Sequence, residues 1–134
     1  MSSFAWAVRV YYEDTDAGGV VYHTNYIKYF ERARTEWLRS LGYSQARLIK
    51  DDGVLFSVVS LSTEYRRPAR LDDQLMVRTT AELAGGASVL FGQEIWREGE
   101  APELLAKGVV KVACIDADSF RPRRLPDSLR KELA

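Results

Sequence analysis

The pattern of hydrophobic and polar positions changes period twice and divides the chain into three parts. In the first part apolar positions alternate with more variable ones, which predicts a strand that ends at an acidic loop. These apolar positions are Trp6, Val8, Val10 and Tyr12. In the second part apolar residues recur every three or four positions, which predicts an amphipathic helix. Its apolar stripe consists of Tyr26, Tyr29, Phe30, Ala33, Trp37 and Leu41.

The predicted helix has recognisable start and stop signals. Thr24 or Asn25 can cap its start, and Gly42 can end it in a left-handed conformation. The helix should then have about four to five turns. An aromatic stripe of this width is typical of a face that packs on a sheet.

The third part is dominated by strand patterns separated by glycine-containing turns. A short helix over Ser44–Asp51 should precede it, and a polar helix over Asp127–Leu133 should follow it. The predicted strands are Val54–Tyr65, Gln74–Leu83, Ser88–Arg97 and Leu104–Ile115, of which the last three should form an antiparallel meander. One long helix on an antiparallel sheet is an α+β architecture. The second face of the sheet should also carry Val, Leu and Phe side chains, so it needs cover that a second subunit could supply.

Composition adds limits to this picture. The 134 residues are enough for a single domain, residues 1–134, with one core. The 19 basic and 19 acidic residues give a net charge of zero, which argues against a nucleic-acid binder that works by overall charge. The single cysteine, Cys114, cannot form an internal disulfide, and neither a signal peptide nor a transmembrane segment is expected. We therefore expect a cytoplasmic protein.

The segment Glu13–Tyr26 concentrates the reactive groups of the chain. It contains three carboxylates, a glycine pair and the only histidine directly before the predicted helix. A carboxylate can act as a base or a nucleophile, and the N–H groups of a first helical turn can hold an oxyanion. The glycines would let an acyl chain approach the backbone closely. The alternative is structural: the acidic residues are solvated or stabilise the helix dipole, and His23 is a structural histidine.

Other kinds of site fit the chain poorly. The sequence has no G-x-S-x-G elbow, no Cys/His cluster for zinc, and neither a Walker loop nor a G-x-G-x-x-G fingerprint. The loop around Asp14 fails as an EF-hand, because Asn25 stands where a bidentate glutamate is needed. No metal and no cofactor are expected.

A basic cluster follows the predicted strand Val54–Tyr65. Arg66, Arg67 and Arg70 lie in Tyr65–Arg70, and guanidinium groups can hold phosphates through forked hydrogen bonds. The alternative is a solvated, salt-bridged surface. Two local basic groups on a neutral chain, the other being at Arg121–Arg124, suit a small polyanionic ligand better than a nucleic acid.

Two motifs resemble a known family. The run Tyr12–Tyr26, continued by Phe30–Glu36, and the later Tyr65–Asp73 resemble the 4-hydroxybenzoyl-CoA thioesterase family. The resemblance is closest to its Tol–Pal-associated acyl-CoA thioesterase branch. It implies a hotdog fold, in which an antiparallel sheet of about five strands wraps a long central helix. It also implies a sheet that continues across a homodimer, often paired again into a homotetramer.

The same resemblance implies an activity and roles for particular residues. The activity is hydrolysis of an acyl-CoA thioester at the dimer interface. Asp16 would be the catalytic carboxylate, as nucleophile or general base. The N–H of His23 would polarise the carbonyl, while the His23 side chain positions water or substrate. The expected substrate-binding residues are Gly19, Tyr22, Tyr26, Arg66, Arg67 and Arg70, with the arginines on CoA phosphates and the tyrosines lining a short-chain or aromatic acyl pocket.

Two rival functions share this fold. The first is a non-catalytic hotdog module that binds an acyl carrier protein or an envelope-machinery partner. An intact Asp16 motif argues against it, since a pure binding module has no need for that carboxylate. The second is a hydratase or dehydratase, which would use a different arrangement of histidine and carboxylate.

Overall fold

The structure, a computed structural model, describes residues 2–134 and consists of one antiparallel sheet with a long helix packed against it. The strands are β1 (Ser2–Arg9), β2 (Val54–Tyr65), β3 (Gln74–Leu83), β4 (Ser88–Arg97) and β5 (Glu103–Asp116). The helices are α1 (His23–Ser40), α2 (Gln45–Arg47, continued by a π turn over Leu48–Asp52) and α3 (Asp127–Leu133). The strand order in the sheet is β1-β3-β4-β5-β2. The expected α+β architecture is confirmed, and β3, β4 and β5 form the predicted meander.

Helix α1 buries the predicted aromatic stripe. Five members of the stripe, Tyr26, Tyr29, Phe30, Ala33 and Trp37, are at most 3% exposed. The first turns pack in one hydrophobic cluster with β3 and β5, and the last turns pack in a second cluster with α3. Within residues 2–134, no helix has both the length and the apolar character needed to cross a bilayer.

The end of α1 follows the sequence prediction. Gly42 has φ +91°, and its N–H donates to the Arg39 carbonyl while the Tyr43 N–H donates to the Leu38 carbonyl. This pair of bonds is the Schellman motif, which satisfies carbonyls that the helix end would otherwise leave free.

Two sequence predictions are wrong near the acidic loop. Strand β1 ends at Arg9 and does not reach Tyr12, because the Asp14 carboxylate accepts the Tyr11 N–H and bends the chain into a short 3₁₀ turn. Neither Thr24 nor Asn25 caps α1. The N-cap is Tyr22, which makes no side-chain capping bond.

The outer face of the sheet, away from α1, is more polar than the pattern predicted. The phenylalanines of the strands pair in register with buried residues of the inner face. The Phe side chains expected on the outer face are therefore not found there on β1–β5. A row of alternating charge crosses the outer face through Arg78, Glu94, Lys107 and Glu64, which are neighbours in the strand register. Arg78 also lies over the Trp96 ring at 4.7 Å. Exposed apolar side chains are instead concentrated along the edge strand β2 and at Val109 beside it.

Candidate active site

The acidic loop folds back so that the Asp16 side chain lies beside the start of α1. The Asp16 N–H donates to the Val20 carbonyl at 2.9 Å, and the Gly19 N–H donates to the Asp16 carbonyl at 3.0 Å. Gly19 has φ +78°, a conformation that favours glycine. The Gly18 N–H donates to Oδ1 of Asp16 at 2.8 Å, and a Cβ on Gly18 would lie 3.2 Å from that oxygen. The glycine pair therefore makes the tight bend that orients this carboxylate.

Asp14 fastens the loop to the helix. It is 6% exposed; its Oδ1 accepts a bond from Nδ2 of Asn25 at 2.9 Å, and its Oδ2 accepts the Tyr11 N–H at 2.8 Å. The Tyr22 N–H donates to the Asp14 carbonyl oxygen at 2.9 Å. The carboxylate of Asp14 is thus occupied by structural bonds, whereas the exposed Asp16 side chain is available to a ligand.

The first turn of α1 presents hydrogen-bond donors at this point. An α-helix leaves its first N–H groups without intrahelical acceptors, and its dipole makes that end positive. At α1 these groups include the N–H of His23 and of Thr24, and no side-chain cap covers them. The His23 imidazole is exposed and packs against the Tyr22 ring, with ring centroids 4.5 Å apart.

A second segment, Tyr65–Arg70, lies against the start of α1 and is bonded to it. Its Ala69 carbonyl accepts the Val21 N–H at 2.8 Å, and its Ala69 N–H donates to the Tyr26 hydroxyl at 2.9 Å. The Tyr65 hydroxyl donates to the His23 carbonyl at 2.8 Å. Burial raises the pKa of Tyr26, so its phenol stays protonated at neutral pH.

These elements surround an open pocket of about 330 Å³. It brings together five of the residues that the sequence selected: Asp16, His23, Tyr26, Arg66 and Arg67. The other three do not line it: the Gly19 backbone bends the loop, the Tyr22 ring packs against that of His23, and Arg70 pairs through its backbone with Val20.

Sequence reasoning missed Tyr65. It stands at the end of β2, its ring centroid is 5.2 Å from that of Tyr26, and it lines the pocket. The signal was its place next to the arginine cluster, at the end of a strand. Only the fold shows that its hydroxyl reaches back to α1.

The two pocket arginines are exposed and weakly paired. Arg66 lies 3.7 Å from a Glu64 carboxylate oxygen and Arg67 lies 3.6 Å from one of Glu103, with both guanidinium side chains more than half exposed. Ion pairs of this kind contribute little to stability, so the arginines can exchange them for a phosphate. Beneath them Arg97 donates to Asp73 at 2.9 Å, to Glu103 at 3.1 Å and to the Pro68 carbonyl, which holds the arginine segment in place.

The arrangement supports acyl transfer. One pocket is lined by a carboxylate, by His23 at the N-terminus of α1 and by two arginines, and these are groups that can serve as base or nucleophile, oxyanion donor and phosphate contact. Within residues 2–134, no group of three or more His, Cys, Asp or Glu side chains is arranged to hold a metal ion.

Comparison with known proteins identifies the group to which these features belong. The family model described as "Thioesterase superfamily" matches residues 18–103. The acyl-CoA thioesterase YbgC of Haemophilus influenzae is 45% identical over 129 residues, which cover 96% of this chain and 93% of that protein.

Solved structures share the fold. Slr0204, a 1,4-dihydroxy-2-naphthoyl-CoA thioesterase from Synechocystis, superposes with a TM-score of 0.92 at 26% identity and covers 98% of this chain and 96% of its own. A 4-hydroxybenzoyl CoA thioesterase superposes with a TM-score of 0.88 and covers 98% and 99%, but at 17% identity the likeness concerns the fold alone.

Proposed function

Because the chain belongs to the thioesterase superfamily, we propose that it hydrolyses acyl-CoA with Asp16 as the catalytic carboxylate and the first turn of α1 as the oxyanion site. The hotdog fold and the acyl-CoA thioesterase activity expected from the sequence are confirmed. The roles of individual residues are our proposal. The observation that carries them is that one pocket is lined both by the exposed Asp16 and by His23, the first residue of an α1 turn that has no side-chain cap.

In the proposed reaction the thioester carbonyl oxygen lies against the N–H groups of His23 and Thr24. These donors stabilise the negative charge that develops on the oxygen during attack. The His23 imidazole, exposed at the pocket, positions the water or the substrate. This geometry needs the backbone of His23 rather than its side chain, so the imidazole is the less critical of the two.

Two routes fit the position of Asp16. As a general base, Asp16 accepts a proton from water, and the water oxygen attacks the carbonyl carbon. As a nucleophile, an Asp16 oxygen attacks the same carbon, and water then hydrolyses the mixed anhydride. In both routes the C–S bond breaks, the thiolate leaves and takes up a proton, and one water molecule is consumed for each acid and CoA released.

The two ends of the substrate, the CoA phosphates and the acyl group, would contact different parts of the pocket. Arg66 and Arg67 stand at the rim, where their guanidinium groups can bind CoA phosphates. Arg70 does not line the pocket, so it could bind a phosphate only outside it. The rings of Tyr26 and Tyr65 form an aromatic wall, which suits a short-chain or an aromatic acyl group.

We also propose that the chain works as a homodimer built on β2, itself the basis of a homotetramer. This strand is an edge of the sheet, and three of its apolar side chains, Val58, Val59 and Leu61, are 39–59% exposed. Unpaired backbone groups beside an apolar strip are suited to pairing with a second strand. Since β2 ends at Tyr65, which lines the pocket of Asp16, a dimer interface (seam) along β2 would extend to that pocket.

The test is CoA release by the Asp16→Asn variant, followed with a thiol reagent. Asparagine keeps an oxygen that can accept the Gly18 N–H, so the loop should keep its shape while the carboxylate is lost. We expect turnover to fall about 100-fold or more, the usual worth of a positioned general base.

The matched control is Glu13→Gln, which removes an exposed carboxylate from the same loop and should leave turnover unchanged. Wild-type turnover by a folded Asp16→Asn protein would refute the assignment.

A further inference from the structure

A second cavity lies at the far end of α1, away from the pocket of Asp16. It has a volume of about 50 Å³, and its walls are mainly apolar, including Trp37, Phe56, Phe91 and Leu129. Two polar side chains, Arg34 and Gln45, complete the lining. Arg34 is eleven residues after His23, which separates the two along the helix by about 16 Å. The cavity is therefore distinct from the candidate active site.

Arg34 is held in place by a fully buried side chain. Its Nη1 donates to Oε1 of Gln93 at 3.0 Å, and Gln93 is 2% exposed. Nε2 of Gln93 donates to the Phe30 carbonyl at 2.9 Å and to Oγ1 of Thr79 at 3.0 Å. With both of its ends bonded, Gln93 fixes the guanidinium at the cavity. This bond uses one of the five N–H donors of an arginine.

The charge of Arg34 is not neutralised by an ion pair. Within residues 2–134, the salt bridges include none to this side chain. Burial lowers the pKa of Arg34, and the neighbouring Glu31 only partly opposes this effect. Oε1 of Glu31 is itself bonded by the Thr35 hydroxyl at 3.0 Å. A half-buried cation without an ion pair is costly even when one of its N–H groups is hydrogen-bonded, and a bound anion relieves that cost.

We propose that this cavity, which is partly open to solvent, binds the apolar tail of a short-chain carboxylate among Trp37, Phe56 and Phe91, while the carboxylate lies outside the apolar walls on the partly exposed Arg34. Guanidinium and carboxylate form a strong, forked pair, and the apolar walls favour a hydrocarbon tail over water. Gln45, whose amide nitrogen donates to the Thr35 hydroxyl at 3.0 Å, is the other polar residue of the cavity lining. A carboxylic acid of this kind is the chemical class that thioester hydrolysis releases, so the enzyme has a site for its product apart from Asp16.

The experiment is a titration with butyrate, followed by the Trp37 indole N–H in ¹H–¹⁵N spectra. The three tryptophan signals are assigned with Trp6→Phe and Trp96→Phe variants. Butyrate should shift the Trp37 signal, whereas butyramide, which has the same shape without the charge, should bind at least about tenfold more weakly because the charge-assisted bond is lost.

Variants separate this site from the active site. Arg34→Met should weaken butyrate binding about tenfold or more, and Arg34→Lys should retain part of it. Arg32→Met, an exposed arginine on the same helix, should bind like the wild type. Asp16→Asn should also bind butyrate like the wild type, so this result does not depend on whether Asp16 is catalytic.

Three outcomes would overturn the proposal. Butyramide could bind as tightly as butyrate, or a folded Arg34→Met protein could bind butyrate unchanged. Butyrate could also shift signals of Tyr65 and His23 while leaving Trp37 unmoved, which would assign binding to the Asp16 pocket. Thermal unfolding of Arg34→Met and Arg34→Lys shows whether each variant is folded.

Discussion

At the scale of single residues, the start of α1 is fixed by a tyrosine from a distant strand. The Tyr65 hydroxyl donates to the carbonyl of His23, whose N–H is the proposed oxyanion donor. Tyr65 also packs edge-on against Tyr26, whose own hydroxyl accepts the Ala69 N–H. The two phenols thus tie the arginine segment to the helix turn. The Tyr65 hydroxyl, unlike its ring, has a positioning role, since it acts on the reaction only through the His23 backbone.

Removal of this hydroxyl should reduce turnover without weakening substrate binding. In Tyr65→Phe the ring contact with Tyr26 remains, but the bond to the His23 carbonyl is lost. Because a hydrogen bond contributes about 0.5–1.5 kcal/mol, we expect kcat to fall about two- to tenfold with KM little changed. Steady-state kinetics measure both. Tyr12→Phe, on an 82% exposed side chain, should behave like the wild type. An increase in KM at constant kcat would contradict a positioning role.

At the scale of elements, α1 approaches the sheet closely because β5 has a glycine beneath it. A Cβ on Gly108 would lie 2.8 Å from Cε2 of Phe30, and the Phe30 side chain is fully buried. Protein cores are close-packed, so an extra methyl group forces the helix or the ring to move. The absence of a side chain at Gly108 therefore sets the distance between helix and strand.

The Gly108→Ala variant should be less stable by about 1–3 kcal/mol, the usual cost of overpacking a core. Urea unfolding measures the change. Gly86→Ala is the matched control, since a Cβ there meets nothing within 4 Å, and it should change stability by less than about 0.5 kcal/mol. If Phe30 is the obstacle, Phe30→Leu should offset part of the loss in a double-mutant cycle. An equal loss in both glycine variants would mean that Gly108 matters for backbone freedom and not for space.

The elements of this fold are readable from the sequence where local pattern decides them. The bounds of Val54–Tyr65, Ser88–Arg97 and Asp127–Leu133 were predicted as the structure has them, because β-branched and aromatic content, glycine-containing turns and Pro126 mark them in the sequence. The start of α1 was predicted wrongly, because the Asn25 amide bonds Asp14, eleven residues away, instead of capping the helix. The candidate site likewise has one part that local sequence decides and one part that only the folded chain brings together. The bend at Asp16 is local, whereas the contact of Tyr65 with His23 spans 42 residues and requires the folded sheet.

At the scale of the whole molecule, the two edges of the sheet differ in what they expose. Strand β1 has no large hydrophobic side chain among the exposed ones within residues 2–134, whereas β2 has Val58, Val59 and Leu61. The register of β2 with β5 shifts between Val58 and Ser60, which leaves Val59 as the extra residue of a bulge. In a homodimer with two-fold symmetry, β2 strands that pair edge to edge must run antiparallel. The end of β2 near Tyr65 would then lie towards the opposite end of the partner's β2.

A charge placed on this edge should separate the protomers. In Val59→Lys a lysine replaces a 59% exposed valine, and edge lysines oppose strand pairing because their charge would have to be desolvated. We expect sedimentation analysis to show a monomer, and activity should fall because the β2 interface extends to the pocket of Asp16.

Val109→Lys makes the same change at a 50% exposed valine on the outer face of β5. It should leave the β2 dimer intact and, if the outer faces join two dimers, remove only the tetramer. A Val59→Lys protein that keeps the wild-type mass while Val109→Lys falls to a monomer would move the proposed dimer interface from β2 to the outer face.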